Sequence, residues 1–163
     1  MVFQQLPGRS GYHNQTDNYA QQHAQLSLFQ RITSQWSLSA TAHYTHGAGY
    51  YEQYKRKKLS YWGLPYSHKA YGMYRKQLDN HFFGGVLAAK YISEPVDLQF
   101  GGAANYYLGD HFGTLHYLED SLIIPINYEY YRNNARKTDA NIYAKANWRI
   151  INHAQEKLSL YAD

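Results

Sequence analysis

The chain has 163 residues, a formal net charge of +4, nineteen tyrosines and no cysteine. Without cysteine there is no disulfide framework, thiol nucleophile or thiolate metal site, and so mild a charge gives no reason to expect nucleic acid as a partner. A mean hydropathy of −0.68, with no run near the ~18 apolar residues of a spanning helix, excludes a helical membrane protein but not a β-barrel, where only alternate residues face lipid.

Residues 1–16 read as loop, with Pro7, Gly8, Gly11 and Asn14 as breakers. This opening has neither a basic nor an apolar leader region, so no signal peptide is expected in it. The last residues, KLSLYAD, stop inside a fresh alternating run. The expectation is an internal piece of something longer.

A first strand is predicted over Asn18 to Ile32, with Ala20, Ala24, Leu26, Leu28 and Ile32 sharing a face with Gln22 and Gln30. A tight turn at Thr33 to Gln35 follows. The second strand alternates cleanly, Trp36, Leu38, Ala40, Ala42 and Tyr44 against Ser37, Ser39, Thr41 and His43. A long irregular section is expected from about His46 to Gln77. The third strand runs from about Leu78 to Ser93, with Phe83, Leu87, Ala89 and Tyr91 on one face. A Glu94-Pro95 turn leads to the fourth, where Val96, Leu98, Phe100, Ala104 and Tyr106 oppose Asp97, Gln99 and Asn105. A second long section covers about Leu108 to Asn134.

The fifth strand, Thr138 to Ile150, is the most regular stretch. Ala140, Ile142, Ala144, Ala146, Trp148 and Ile150 fall on one side; Asp139, Asn141, Tyr143, Lys145, Asn147 and Arg149 fall on the other. Strict period-two alternation marks a strand with one wet and one apolar face. The run exceeds the common strand of about 5–6 residues and suits the roughly 9–11 of a tilted transmembrane strand. A turn at Asn152 to Gln155 leads to a sixth strand with Leu158, Leu160 and Ala162 on one side.

The connections alternate short, long, short, long, short, as in outer-membrane barrels with short periplasmic turns and long extracellular loops. Trp36 and Trp148 lie on the apolar side near short turns, Tyr44 and Tyr106 near the long sections, where two interfacial girdles would sit. The fold class is therefore all-β: an antiparallel up-and-down transmembrane β-barrel segment of about six strands, too few to close, since the smallest barrels have about eight. The competing architecture is a soluble sandwich or lipocalin-like barrel, against which loops this long would be uncommon.

Three blocks stand out: HYTHGAGYYEQYKRKK, GGAANYYLGDHFG and YEYYRNNARKTDANIY, with DNHFFGG opening the third strand. In this order they resemble the barrel of TonB-dependent outer-membrane receptors of the Bacteroidetes type, over nearly the whole chain. The resemblance implies an active importer in the bacterial outer membrane, with a barrel of about 22 strands and a plugged lumen. It would bind a scarce nutrient such as a ferric siderophore, haem, cobalamin or oligosaccharide, driven through TonB. Residues 1–163 would be a section of that wall. The plug, the TonB-binding part and the remaining strands would be its partners, with outer-membrane lipid and lipopolysaccharide around it. The alternative is a soluble carbohydrate-binding β-domain that uses tyrosines as sugar platforms.

No enzymatic motif is found: Ser, His and Asp occur without a Gly-x-Ser-x-Gly elbow, and no catalytic residue or cofactor is expected. No metal site is expected either, since His43 and His46, three apart, fall on opposite faces of a strand. Substrate contacts are expected in the extracellular loops, at Tyr50, Tyr51, Glu52 and Tyr54 and at Asp110, His111 and Phe112. The run Lys55-Arg56-Lys57-Lys58 is a candidate for lipopolysaccharide phosphates or an anionic substrate, with Glu52 as its candidate partner. Asn141, Tyr143, Lys145 and Arg149 are expected to face the lumen, because Lys or Arg on the lipid face costs about 2–4 kcal/mol at mid-bilayer.

Overall fold

A computed structural model describes residues 15–152 and 157–163. Six strands form one antiparallel sheet in sequence order: β1 (Asp17–Arg31), β2 (Trp36–Lys58), β3 (Lys69–Ile92), β4 (Val96–Leu118), β5 (Tyr128–Asn152) and β6 (Lys157–Ala162). Each strand pairs with its chain neighbours, so β1 and β6 are the edges and the sheet is open. The expected loop over 1–16 and the turn at Asn152 to Gln155 lie largely outside the described residues. In the pairing of β5 with β6, Trp148 stands opposite Leu160 and Asn147 opposite Tyr161.

The six strands fall where the alternation puts them, but four are far longer. β2 to β5 span 23, 24, 23 and 25 residues. Both long irregular sections are therefore corrected. His46 to Lys58 continues β2 and Lys69 to Gln77 belongs to β3, leaving only Leu59 to His68 as connection. Leu108 to Leu118 continues β4 and Tyr128 to Asn134 opens β5, leaving Glu119 to Asn127. The alternation of short and longer connections survives. The argument from loop length does not.

β2 runs on through Gly47 and Gly49. These glycines let a neighbour approach: a Cβ on Gly47 would meet the Tyr19 hydroxyl, and one on Gly49 the Asn18 carbonyl. Tyrosine, a good strand former, carries the pairing on through both segments.

Packing divides the chain into two units. The first takes in 15–21, 46–80 and 108–135. It has the only buried apolar cluster among the described residues: Leu59, Trp62, Ala70, Tyr74, Leu115 and Leu118. A 3-10 turn, Leu59–Trp62, lays Leu59 and Trp62 into that cluster and ends at Gly63, whose φ of 71° suits glycine. Gly72 makes room for Trp62, since a Cβ there would stand 2.6 Å from the indole ring.

The second unit takes in 22–45, 81–107 and 136–163. It contains both described short turns. Thr33 Oγ1 accepts from the backbone N–H of Gln35 and Trp36 in one, and Ser93 N–H donates to the Val96 carbonyl in the other. Among the described residues, no buried cluster forms here. One face carries Leu26, Leu87, Phe100, Ile142 and Trp148, all exposed, with Ile142 at 92%. Leu38, Leu87, Phe100, Ala104, Ala140 and Ile142 line an open apolar trough of about 730 Å³ on it. The other face is cross-linked by polar side chains: His23 to Thr45 at 2.7 Å, Ser27 to Thr41 at 3.0 Å and His43 to Asn105 at 3.0 Å. Among the described residues, no helix is long and apolar enough to cross a membrane, which leaves strands unaddressed.

Candidate functional site

The expected lumen-facing residues lie on β5 within the second unit. Gln99 Nε2 donates to Tyr143 Oη at 2.9 Å, and the Tyr143 ring covers Gly101, where a Cβ would come within 2.5 Å of it. Arg149 donates to Asp97 at 2.8 Å and to the Ser93 carbonyl. Lys145 Nζ sits 5.9 Å from the Tyr143 ring centre. Asn141 shares their parity along β5. A second recess of this unit, of about 140 Å³, gathers Lys90, Asp97, Gln99, Lys145, Asn147 and Tyr161. This polar face is a fabric of cross-strand hydrogen bonds, with the Asp97–Arg149 pair at its centre.

The seven expected substrate-contact residues belong to the first unit, and they stand on strands rather than loops: Tyr50, Tyr51, Glu52 and Tyr54 on β2, Asp110, His111 and Phe112 on β4. Successive strand residues point to opposite faces, so the structure splits them. Tyr51 and His111 meet in one recess, of about 270 Å³, with Tyr19, Lys76, Leu78 and Tyr131, and Tyr50 also lines it. Lys76 Nζ lies 5.9 Å from the centre of the Tyr51 ring. A hydrogen bond that Lys76 donates to the Tyr51 hydroxyl raises the Lys76 pKa against the opposing effect of burial. Burial raises Tyr131, so its phenol stays neutral.

The others are engaged with their own neighbours. Glu52, only 7% exposed, takes the Arg75 guanidinium at 2.8 Å, and Arg75 lies 4.1 Å over the Tyr50 ring. This corrects the expected pairing of Glu52 with the Lys55–Lys58 run: those lysines lie further along β2, while Arg75 lies across the strand pair. Tyr54 donates to Glu119 at 3.0 Å and stacks on Tyr71; burial and that carboxylate push its phenol up to about 12. Asp110 accepts from Arg132 at 3.2 Å and from Asn134 at 2.6 Å. Arg132 also covers the Phe112 ring at 4.2 Å and holds Glu129 below the usual carboxylate range.

His43 and His46 part as alternation requires. His43 packs on Phe82 and reaches Asn105, while His46 pairs with Asp79 at 2.8 Å.

The sequence reading missed Arg75, Lys76 and Tyr131, because it began β3 at about Leu78 and β5 at Thr138, too late to include them. The pattern was there: Ala70, Gly72, Tyr74 and Lys76 alternate with Tyr71, Met73, Arg75 and Gln77. No family model matches the sequence, and no curated protein or solved structure matches it.

Proposed function

We propose that the chain is a section of the β-barrel wall of a TonB-dependent outer-membrane receptor that captures and imports a scarce small-molecule nutrient. One observation carries the wall reading: the second unit has an uncovered apolar face, with Ile142 at 92% exposure, opposite a face sewn together by polar side chains. Apolar area of that extent on a water-soluble sheet would be an association liability. Against lipid it is the expected exterior, and the polar face the expected lumen. Strand length adds support. At about 3.3 Å per residue, β2 to β5 each have a contour near 80 Å, well beyond the roughly 10 residues needed to cross a bilayer. The remainder, with both longer connections, belongs to the side from which nutrient arrives.

The receptor class rests on the resemblance of the Tyr-Gly blocks in β2, β4 and β5. Plug, TonB and the remaining strands are the partners that follow from it, with outer-membrane lipid around the wall. Ligand contact falls to the recess of Tyr19, Tyr51, Lys76, His111 and Tyr131. Along β2, Tyr51 shares its parity with Ser39, Thr41 and His43, and tyrosine offers broad contact area with little side-chain freedom to lose. The cheapest test is solubility. The chain should stay monomeric only in detergent, because β1 and β6 are open edges. A sharp, cooperative melt of a monomer in plain buffer would favour a soluble carbohydrate-binding domain instead.

A further inference from the structure

We propose that the connection between β2 and β3 is a binding site for a ligand bearing two or more phosphate or sulfate groups. Arg56, Lys57, Lys58 and Lys69, with Ser60 and Tyr61, enclose a recess of about 520 Å³. Four cations line it and no carboxylate does. Three acidic side chains of the same unit are committed elsewhere. Glu52 holds Arg75, Glu119 accepts from Tyr54, and Asp120 holds His68 at 2.8 Å. The His68 hydrogen bond keeps Asp120 below the usual carboxylate range. Among the described residues, none of the four lining cations makes an ion pair.

The frame under these cations is built. Leu59 and Trp62 are fully buried, which fixes the 3-10 turn and leaves Ser60 and Tyr61 outward. Leu59 N–H donates to the His68 carbonyl and Ser60 N–H to the Tyr66 carbonyl, both at 3.0 Å, so the ends of the connection are held together. Lys57 Nζ rests 5.2 Å over the Tyr61 ring. Gathering like charges in this way opposes folding through repulsion, and an anion relieves it. One monoanion would leave most of that charge uncompensated. A phosphoryl or sulfuryl group brings several strong acceptor oxygens, and lysine and arginine are its usual partners. The site stands apart from the Tyr51 recess, and it does not depend on the sheet spanning a membrane. Its anion could come from a phosphorylated lipid headgroup or from a free polyphosphate.

The test uses the whole chain in phosphatidylcholine discs, titrated with inositol hexakisphosphate by calorimetry. The Lys57→Gln/Lys69→Gln double variant should weaken binding about tenfold, and Lys69→Glu should weaken it further. Lys90→Gln, which lies in the other unit, should change it less than about twofold. Raising salt from about 50 mM to about 200 mM should weaken the wild type and flatten the difference between variants. Circular dichroism checks that each variant keeps its strand signal. If the double variant loses it, the exposed Arg56→Gln carries the test, with a loss of about threefold. Discs containing a phosphatidylinositol bisphosphate, against phosphatidylglycerol at equal total charge, separate the sources. Selective loss of hexakisphosphate binding with the bisphosphate lipid points to a lipid headgroup, and no loss points to a free ligand. The proposal falls if the wild type does not bind the probe, or if the folded Lys57/Lys69 or Arg56 variants bind it as the wild type does.

Discussion

At the scale of single residues, the first unit is held by side chains that neutralise one another within the sheet. Arg75 is the clearest case: it faces the buried Glu52 carboxylate, covers the Tyr50 ring and lies beside His116. Gln77 donates to Thr114 at 2.7 Å, and Thr114 is hydrogen-bonded to His116 at 2.9 Å. Burial first, and Arg75 second, push His116 below its ordinary value of 6.5. A histidine depressed in the folded state protonates more readily once the chain unfolds. The unfolded chain therefore binds more protons as pH drops below about 6.5, and stability rises with pH through that window. Urea titrations of the detergent-folded chain at about pH 7, 6 and 5 should show a falling midpoint. His116→Gln should remove part of the fall. Parallel pH profiles for wild type and variant would show that His116 contributes nothing to it.

At the scale of elements, alternation sorts function from support. Tyr51 and Tyr54 are three apart on β2, so they occupy opposite faces, and only Tyr51 reaches the recess with Lys76 and Tyr131. Tyr54 is spent on Glu119 and Tyr71. If the proposed receptor function holds, Tyr51→Ala should therefore weaken capture of whichever ferric siderophore, haem, cobalamin or oligosaccharide the wild type retains. Losing a well-packed aromatic contact of this kind costs about 1–2 kcal/mol, or about tenfold. Tyr54→Phe should leave capture unchanged at equal surface expression. Equal losses for the two variants, in a binding assay on intact cells, would remove the recess from the account. The same alternation explains what could be read in advance. All six strands, their order and the shared polar face of Tyr143, Lys145 and Arg149 were legible, because in the second unit each strand sets apolar against polar side chains. The first unit escaped that reading for a physical reason. Both faces of its strands carry tyrosines, so period two is present with little contrast in polarity. Gly72 and Gly113 serve packing there: a Cβ on the first would meet Trp62, and one on the second Tyr130 and Tyr131.

At the scale of the whole molecule, the two units differ in how they bury apolar surface. The first closes a small aromatic cluster around Trp62 and Tyr74, whose rings meet edge to face at 5.9 Å. The second closes none and leaves Leu26, Leu87, Phe100, Ile142 and Trp148 exposed. An outer-membrane wall requires that asymmetry, since lipid supplies the missing layer. Edge strands β1 and β6 are likewise what a section of a larger barrel presents to its missing neighbours. The central claim is that the apolar face of β5 meets lipid. Spin labels placed singly at 142, 143, 144, 145 and 146, in the chain reconstituted into bilayers, test it most directly. Labels at 142, 144 and 146 should be accessible to dissolved oxygen and shielded from a water-soluble nickel chelate, with the reverse at 143 and 145. Uniform access to the chelate, or an inverted alternation, would contradict the membrane-wall account.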